Sequence, residues 1–213
     1  MSWVTVINTV RTRFQTQVVA NYAGSAPTVT GTDITATTGG YTSVTTTLSG
    51  FTDGPQILVT GFTAAASNGL KRLKTLAAKA ITINETITAE AAGNAVTIAT
   101  AIPVQYDNDA AFKAPDNRMW VRFSVLPAAE NWLEIGSSRT VRSTMLAIAQ
   151  IFSPIGTGDG TPRALADTIA TAFRGVAASS ITYGLPYIGV DGMVNAWHQI
   201  NVNIPFQTDT TGV

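Results

Sequence analysis

The sequence of 213 residues contains no cysteine, a single histidine and few charged side chains. Without cysteine it has neither a disulfide framework nor a thiolate nucleophile, and one histidine has no His or Cys partner for a zinc site. Charged residues make up 12% of the chain, and 13 basic side chains balance 13 acidic ones. This composition predicts no basic surface for nucleic acid and no basic stripe for a membrane.

Long apolar runs are also missing. No stretch approaches the roughly 20 residues that a membrane-spanning helix needs, and the first residues, MSWVTVINTVRTRF, lack the pattern of a secretory signal peptide. We therefore expect a soluble protein made in a reducing cytoplasm. Because it has so little charge, we also expect much of its surface to be covered by another protein.

Motifs for catalysis or for a bound ion are equally scarce. His198 lies on an otherwise apolar strand face and is interpreted as a packed residue, and no G-x-S-x-G motif occurs. The stretch GTGDG at 156–160 lacks the Lys-Ser/Thr of a P-loop. The acidic loop YDND at 106–109, with Asp116, fits a divalent-cation site or an Asx-turn cluster, and its incomplete spacing favours the turns. We expect no enzyme, no cofactor and no metal site.

Threonine, alanine and glycine dominate a block from about Ser25 to Ala101, which follows a helical pattern at the N-terminus. Within the block, short Thr- and Val-rich stretches alternate with turn signals every eight to twelve residues, which is typical of a small β-sandwich or barrel. The segment SNGLKRLKTLAAK fits helical and strand periodicity alike. The tight turn expected at Asn68-Gly69 favours a strand, with the lysines and the arginine facing water.

Residues 102–213 are predicted to form several strands and one helix. Alternating apolar residues predict strands at 119–125, 139–152 and 194–206, and Thr161-Pro162 predicts the start of a helix. Both faces of the strand at 139–152 are apolar in its second half, so we expect the protein's own core to cover one face and a neighbour the other. With the N-terminal helix, these elements predict an α+β fold, with helices on one face of a mostly antiparallel sheet, interrupted by a small all-β domain.

Five segments outside the block follow the N-terminal helix in the order YDNDAAFKAP, WVRFSVLP, QIFSPIGTG, ALADTIATAF and WHQINVNIPF. This order resembles the tail terminator family of long-tailed bacteriophages. Within the block, the residues from Phe51 to Thr100 resemble a small β module that recurs in phage tail proteins. The predicted domains are therefore 1–24 with 102–213, and an inserted domain at 25–101.

The resemblance to tail terminators implies a structural protein that forms a ring, typically a hexamer, on the head-proximal end of the tail tube. Such a ring stops tube growth and joins the tail to the head connector. The implied partners are further copies of the chain, the tail tube protein and the connector protein. The implied location is the neck of the virion tail, with the host cytoplasm during assembly.

An alternative function is a binding module or minor tail protein, in which the β block recognises a host-surface or virion partner. The block has three aromatic residues, Tyr41, Phe51 and Phe62, and this small number favours scaffolding over glycan binding.

Five residues are interface candidates. Trp132 and Leu133 lie in the predicted loop LPAAENWLEIGSS, and tryptophan is a common interface anchor; the alternative is that Trp132 packs on its own sheet. The others are on the second apolar face of the long strand: Leu146, Ile148 and Phe152.

Overall fold

In the computed structural model of this chain, the described residues are 2–19, 28–48, 51, 56–107, 112–115, 117–133, 140–178 and 180–211. Strands hold 51% of the described residues and helices 19%, and the strands form two sheets. The predicted α+β class is therefore wrong, because the described chain is mostly β with two α-helices. The helical patterns do form helices, but the strands are far more numerous, and three of them run to 13 or 15 residues.

The chain forms two compact units. The first comprises Met1–Val18 and Val104–Val213, and the second is Val19–Pro103. Whether the second unit folds by itself, as the insertion predicted at 25–101 requires, stays a prediction.

The second unit is a seven-stranded antiparallel sheet with the strand order β1-β7-β4-β5-β6-β3-β2. Its strands are β1 (Thr28–Gly31), β2 (Ile34–Thr37), β3 (Gly40–Ser43), β4 (Gln56–Thr60), β5 (Gly69–Ala77), β6 (Ala80–Ile83) and β7 (Val96–Thr100). The two edge strands, β1 and β2, are consecutive in the chain and separated by two residues, so the sheet curls back on itself. It encloses a core that includes Tyr41, Leu48, Ile57, Phe62 and Ile98.

The ambiguous segment after Ser67 forms strand β5, as the Asn68-Gly69 turn predicted. The Asn68 side chain holds this turn, because its amide donates to the Phe62 carbonyl at 2.7 Å and its Oδ1 accepts from the Phe62 backbone N–H at 3.0 Å. Gly69 takes φ = 89°, a conformation that favours glycine.

The prediction that every lysine of this segment faces water is wrong for Lys71. Lys71 shares a strand face with Leu73, which packs against the core, and only 9% of Lys71 is exposed. Its Nζ donates to the Ala66 carbonyl at 2.8 Å, which compensates part of the cost of burying the charge. Burial lowers the pKa of the Lys71 ammonium.

The described residues of the first unit form two α-helices and a second seven-stranded sheet. Its elements are α1 (Trp3–Phe14), β8 (Val104–Tyr106), β9 (Trp120–Trp132), β10 (Thr140–Pro154), α2 (Gly160–Phe173), β11 (Ala177–Ala178), β12 (Ile181–Tyr183), β13 (Tyr187–Val194) and β14 (Trp197–Thr211). A π-helical turn, Gln15–Val19, continues α1. The strand order is β11-β12-β14-β10-β9-β8, and β13 also pairs with β14. All pairings are antiparallel except that of β8 with β9.

One face of this sheet forms the core of the first unit. Phe14 of α1 stacks on Phe123 of β9 with ring centroids 4.3 Å apart, and α2 contacts β10 and β14. Arg13 connects the helices, because its Nε and Nη2 both donate to the Ala172 carbonyl near the end of α2, at 3.0 and 2.6 Å. Carbonyls in the last turn of a helix lack helical partners, so Arg13 satisfies one of them.

Helix α2 begins two residues earlier than Thr161-Pro162 predicted, at Gly160 instead of Pro162. Its N-cap position is Asp159 rather than Thr161, and the Asp159 carboxylate accepts from Arg163 Nε at 2.6 Å instead of capping the backbone. Before it, Gly156 and Gly158 take φ of 88° and 79°, so the glycines of GTGDG form the turn that leads into the helix.

Candidate interaction surfaces

The sheet of the first unit has a second face, called here the outer face, which points away from α1 and α2. Strand β10 alternates between the two faces: its core residues are Met145, Ala147, Ala149 and Ile151, while Leu146 and Ile148 are half-buried on the outer face. Register places Leu146 between Leu126 of β9 and Pro205 of β14. Leu126 is 45% exposed. An apolar row therefore crosses three strands of the outer face.

Phe152, a third candidate on β10, is in a different setting. Its ring stacks on Trp120 at 4.2 Å, and Phe152 is only 7% exposed. Trp197 meets Trp120 edge-on at 6.2 Å, and the Arg122 guanidinium lies over both the Trp120 and Phe152 rings, at 5.8 and 5.7 Å. The structure thus brings Leu146 and Ile148 together, while Phe152 belongs to a largely covered aromatic cluster.

Trp132 and Leu133 lie where β9 turns towards β10, and both are exposed. The Leu133 backbone N–H donates to the Thr140 carbonyl at 2.9 Å, so this part of the predicted loop is the end of a hairpin. Trp132 lines a groove of about 480 Å³ with Trp3 of α1, and the apolar side chains lining it also include Val6, Val141 and Met145. Trp132 nevertheless remains 57% exposed.

The segment 185–194, which comprises β13 and the two residues before it, is an apolar surface that sequence reasoning missed. It carries six exposed large apolar side chains: Leu185, Tyr187, Ile188, Val190, Met193 and Val194. Asp191 is its one charged residue. Exposed apolar patches of this kind mark interaction sites more often than single exposed residues do. The signal was present in the sequence as LPYIGVDGMV, a nearly uncharged run without an obvious period.

Two oppositely charged side chains lie towards opposite edges of the first unit's sheet. Arg122 of β9 donates from Nε to Gln105 Oε1 at 3.0 Å, and Asp191 of β13 accepts from the Gln199 amide at 3.2 Å and from the Asn201 amide. Within the part of the chain that the structure describes, neither Arg122 nor Asp191 has an oppositely charged partner. Each is therefore available for an ion pair with another molecule.

Two carboxylates of the second unit are fixed in loops. Asp33 accepts hydrogen bonds from four consecutive residues, Ser43 to Thr46. These bonds, the one from the Ser43 hydroxyl first among them, hold the pKa of Asp33 well below its usual range. Glu90 accepts from the backbone N–H groups of Ala64 and Thr63, both at 2.8 Å, and these bonds lower the pKa of Glu90. Both side chains stay ionised near neutral pH and stabilise loops.

The predicted acidic loop lies partly outside the described residues, which include Asp107 but not residues 108–109 or Asp116. Asp107 accepts from the Val125 backbone N–H at 3.2 Å and lies 3.5 Å from an Arg11 nitrogen. Among the described residues, no group of three or more His, Cys, Asp or Glu side chains could hold a metal ion. His198 is half-buried on β14, opposite Ser153 and Met193.

The family model of the phage tail terminator protein matches residues 82–206, more than half of the chain. The chain belongs to the phage tail terminator family. No curated protein matches the sequence. A solved structure with 20% sequence identity matches 51% of this chain and 79% of its own chain, with a TM-score of 0.38. A likeness at that score carries no argument about function.

Membership of the tail terminator family confirms the resemblance found in the order of segments. The protein is a structural component of a bacteriophage tail, located in the virion tail with tail-associated partners. Among the described residues, no helix has the length and apolarity needed to cross a membrane.

Trp132→Ala is expected to leave the stability of this tail terminator almost unchanged but to weaken its assembly. An exposed side chain contributes about 0.5 kcal/mol or less to folding, whereas an aromatic anchor is costly to remove from an interface. The matched control is Trp120→Ala, since Trp120 is 5% exposed and stacked on Phe152. Trp120→Ala should cost about 3–5 kcal/mol of folding free energy. Thermal unfolding of the monomer and a binding assay with tail tubes separate the effects; a large loss of monomer stability in Trp132→Ala would instead favour packing on its own sheet.

Proposed function

We propose that this protein forms a ring, a homohexamer, that caps the head-proximal end of the tail tube. The ring stops polymerisation of the tube protein and joins the tail to the head connector. Assembly takes place in the host cytoplasm, and the finished ring lies in the neck of the virion. The observation that carries the proposal is the match of residues 82–206 to the tail terminator family.

The surface of the first unit supports an assembled state. The outer face carries the apolar row Leu126, Leu146 and Pro205, and β13 carries further exposed apolar residues. Exposed apolar patches mark interaction sites, so these surfaces support contact with a neighbouring molecule. The second unit, on this proposal, decorates the ring or braces a neighbouring virion protein.

Tail assembly in a phage that lacks this gene tests the proposal. We expect tubes of uncontrolled length without attached heads, because nothing stops polymerisation or provides the connector with its surface. Supplying the protein should restore uniform length and head joining, as measured by electron microscopy. Subunit counting on tails should give six copies, and native mass spectrometry of the free protein shows whether the ring closes before it meets the tube. Tails of normal length without the protein, or one or two copies at the tail end, would contradict the proposal.

A further inference from the structure

We infer that neighbouring copies of this chain meet head to tail through two opposite sides of the first unit's sheet. One side is the β13 edge, defined as residues 185–194. The other is the β8–β9 edge, defined by strand β8 and the adjoining residues 120–126 of β9. The inference rests on the proposed ring and adds the surfaces through which the copies contact each other.

The β13 edge is the most apolar exposed stretch of the described chain. Thirteen large apolar side chains are exposed among the described residues, and six of them lie in residues 185–194. Natural edge strands usually carry charges that prevent pairing with another chain. The β13 edge has one charge, Asp191, so it lacks most of that protection.

Opposite charges lie at similar positions along the strand direction on the two edges. Register aligns Arg122 of β9 with Gln150 of β10, and Gln150 with Asn201 of β14. The Asn201 side chain in turn donates to Asp191, so Asp191 lies near the level of Arg122 at the far side of the sheet. Arg122 is exposed and reaches towards β8 through its bond to Gln105. When two neighbouring copies are at the same level along the strand direction, Asp191 of one copy faces Arg122 of the next.

An apolar pair of residues also lies at similar positions along the strand direction on the two edges. The Gly184 N–H donates to the Pro205 carbonyl at 2.8 Å, which places Leu185 close to the level of Pro205. Pro205 is aligned with Leu146, and Leu146 with Leu126 of β9. The exposed Leu185 of one copy therefore meets the level of the exposed Leu126 of the next. One register thus satisfies both the charged and the apolar pair.

Strand direction is also compatible with this contact. Strands β9, β10, β14 and β13 are antiparallel in succession, so β13 runs opposite to β9 and to the parallel β8. Copies related by rotation about an axis along the strands keep the same orientation, so β13 of one copy meets β8 of the next in antiparallel sense.

The two edges are unlike, which determines the kind of assembly. In an open row of copies, one β13 edge and one β8–β9 edge remain free at the two ends. A closed ring brings every edge into contact with a neighbour. A two-fold dimer would instead require one edge to contact itself. The head-to-tail contact therefore suits a ring, and the occupant of the β13 edge is a second copy of this chain.

Charge reversal tests the contact. Arg122→Glu and Asp191→Arg should each weaken ring formation about tenfold or more, because each places like charges together, and the doubly substituted chain should recover most of the loss. Matched controls are Arg174→Glu and Asp167→Arg, which reverse exposed charges elsewhere in the first unit and should not change association. Native mass spectrometry across protein concentrations, on tails if the free protein is monomeric, measures assembly, and thermal unfolding verifies the fold.

Cysteine cross-linking provides an independent test, because the natural chain has no cysteine. Gln105→Cys and Gly189→Cys place thiols on the two edges in the row of Arg122, and a Cβ at Gly189 meets no atom within 4 Å. With a flexible bismaleimide, a mixture of the two variants should give a cross-linked pair, and neither variant alone should. Val44→Cys, in the second unit, is the exposed control.

The outcomes separate this inference from the proposed ring. Rings that form without the mixed cross-link, or that tolerate both single charge reversals, would overturn the head-to-tail contact but leave the ring intact. Cross-linking of Gly189→Cys with itself would indicate a two-fold contact and overturn it as well. A protein that is monomeric in solution and on tails contradicts the ring and this contact together.

Discussion

Phe123→Ala is expected to destabilise the first unit by about 3–5 kcal/mol and to leave the unfolding of the second unit unchanged. Phe123 is fully buried, stacks on Phe14 at 4.3 Å and meets the Tyr106 ring edge-on at 6.3 Å. Alanine leaves a cavity between helix α1 and the sheet that these neighbours can only partly fill.

The chain itself supplies a probe that distinguishes the two units. All four tryptophans lie outside residues 25–101, at positions 3, 120, 132 and 197. Tryptophan fluorescence therefore follows the first unit, whereas far-ultraviolet circular dichroism follows both. In urea, Phe123→Ala should lower the midpoint of the fluorescence transition and leave a second, circular-dichroism-only transition in place.

Tyr41→Ala is the matched control in the second unit. Tyr41 is fully buried, its hydroxyl donates to the Ser67 carbonyl at 2.8 Å and its ring stacks on Phe62 at 5.7 Å. This variant should lower the circular-dichroism-only transition and leave the fluorescence transition unmoved. If both variants shift one common transition, the two units unfold together and the expectation of independent units is wrong.

The regular strands of the first unit could be predicted from the sequence because their period is undisturbed. Strands β10 and β14 pair without a shift over 15 residues, and alternate side chains enter the core along most of that length. The predicted fold class is wrong for a different reason. Two clear helical patterns in the sequence favour an α+β fold, although strands hold most of the structured residues.

The missed surface on β13 has a local physical cause. The register of β13 against β14 shifts between Val190 and Gly192, and the irregularity disrupts the alternation that marks a strand in the sequence. Exposure of the apolar residues on this strand also depends on its position beside β14, which no local pattern contains. The covered state of Phe152 is of the same kind, because its partner Trp120 lies on another strand, 32 residues away in the sequence.

Replacing residues 25–101 with a short Gly/Ser linker is expected to leave the first unit folded and in its native oligomeric state. The core of the second unit is formed by its own residues, from Ile34 to Ile98. The core of the first unit is formed by contacts within that unit, such as Phe14 of α1 with Phe123 of β9. A surface connection tolerates such a change in length, because closure costs only about 0.6 kcal/mol for each doubling of the loop. Fluorescence-monitored unfolding and native mass spectrometry of the shortened chain are the measurements.

The shortened chain is a demanding test, because the family match begins at residue 82 and so includes strand β7 of the second unit. If the tail terminator fold needs those residues, the shortened chain will be insoluble or will unfold without cooperativity, and the insertion is then wrong. The matched control is a second chain in which only the hairpin turn at Ala78–Lys79 is replaced by Gly/Ser, which keeps β7 in place. A cooperative transition in both chains, with the same oligomeric state as the natural protein, would show that 25–101 was added at a surface connection of a complete fold.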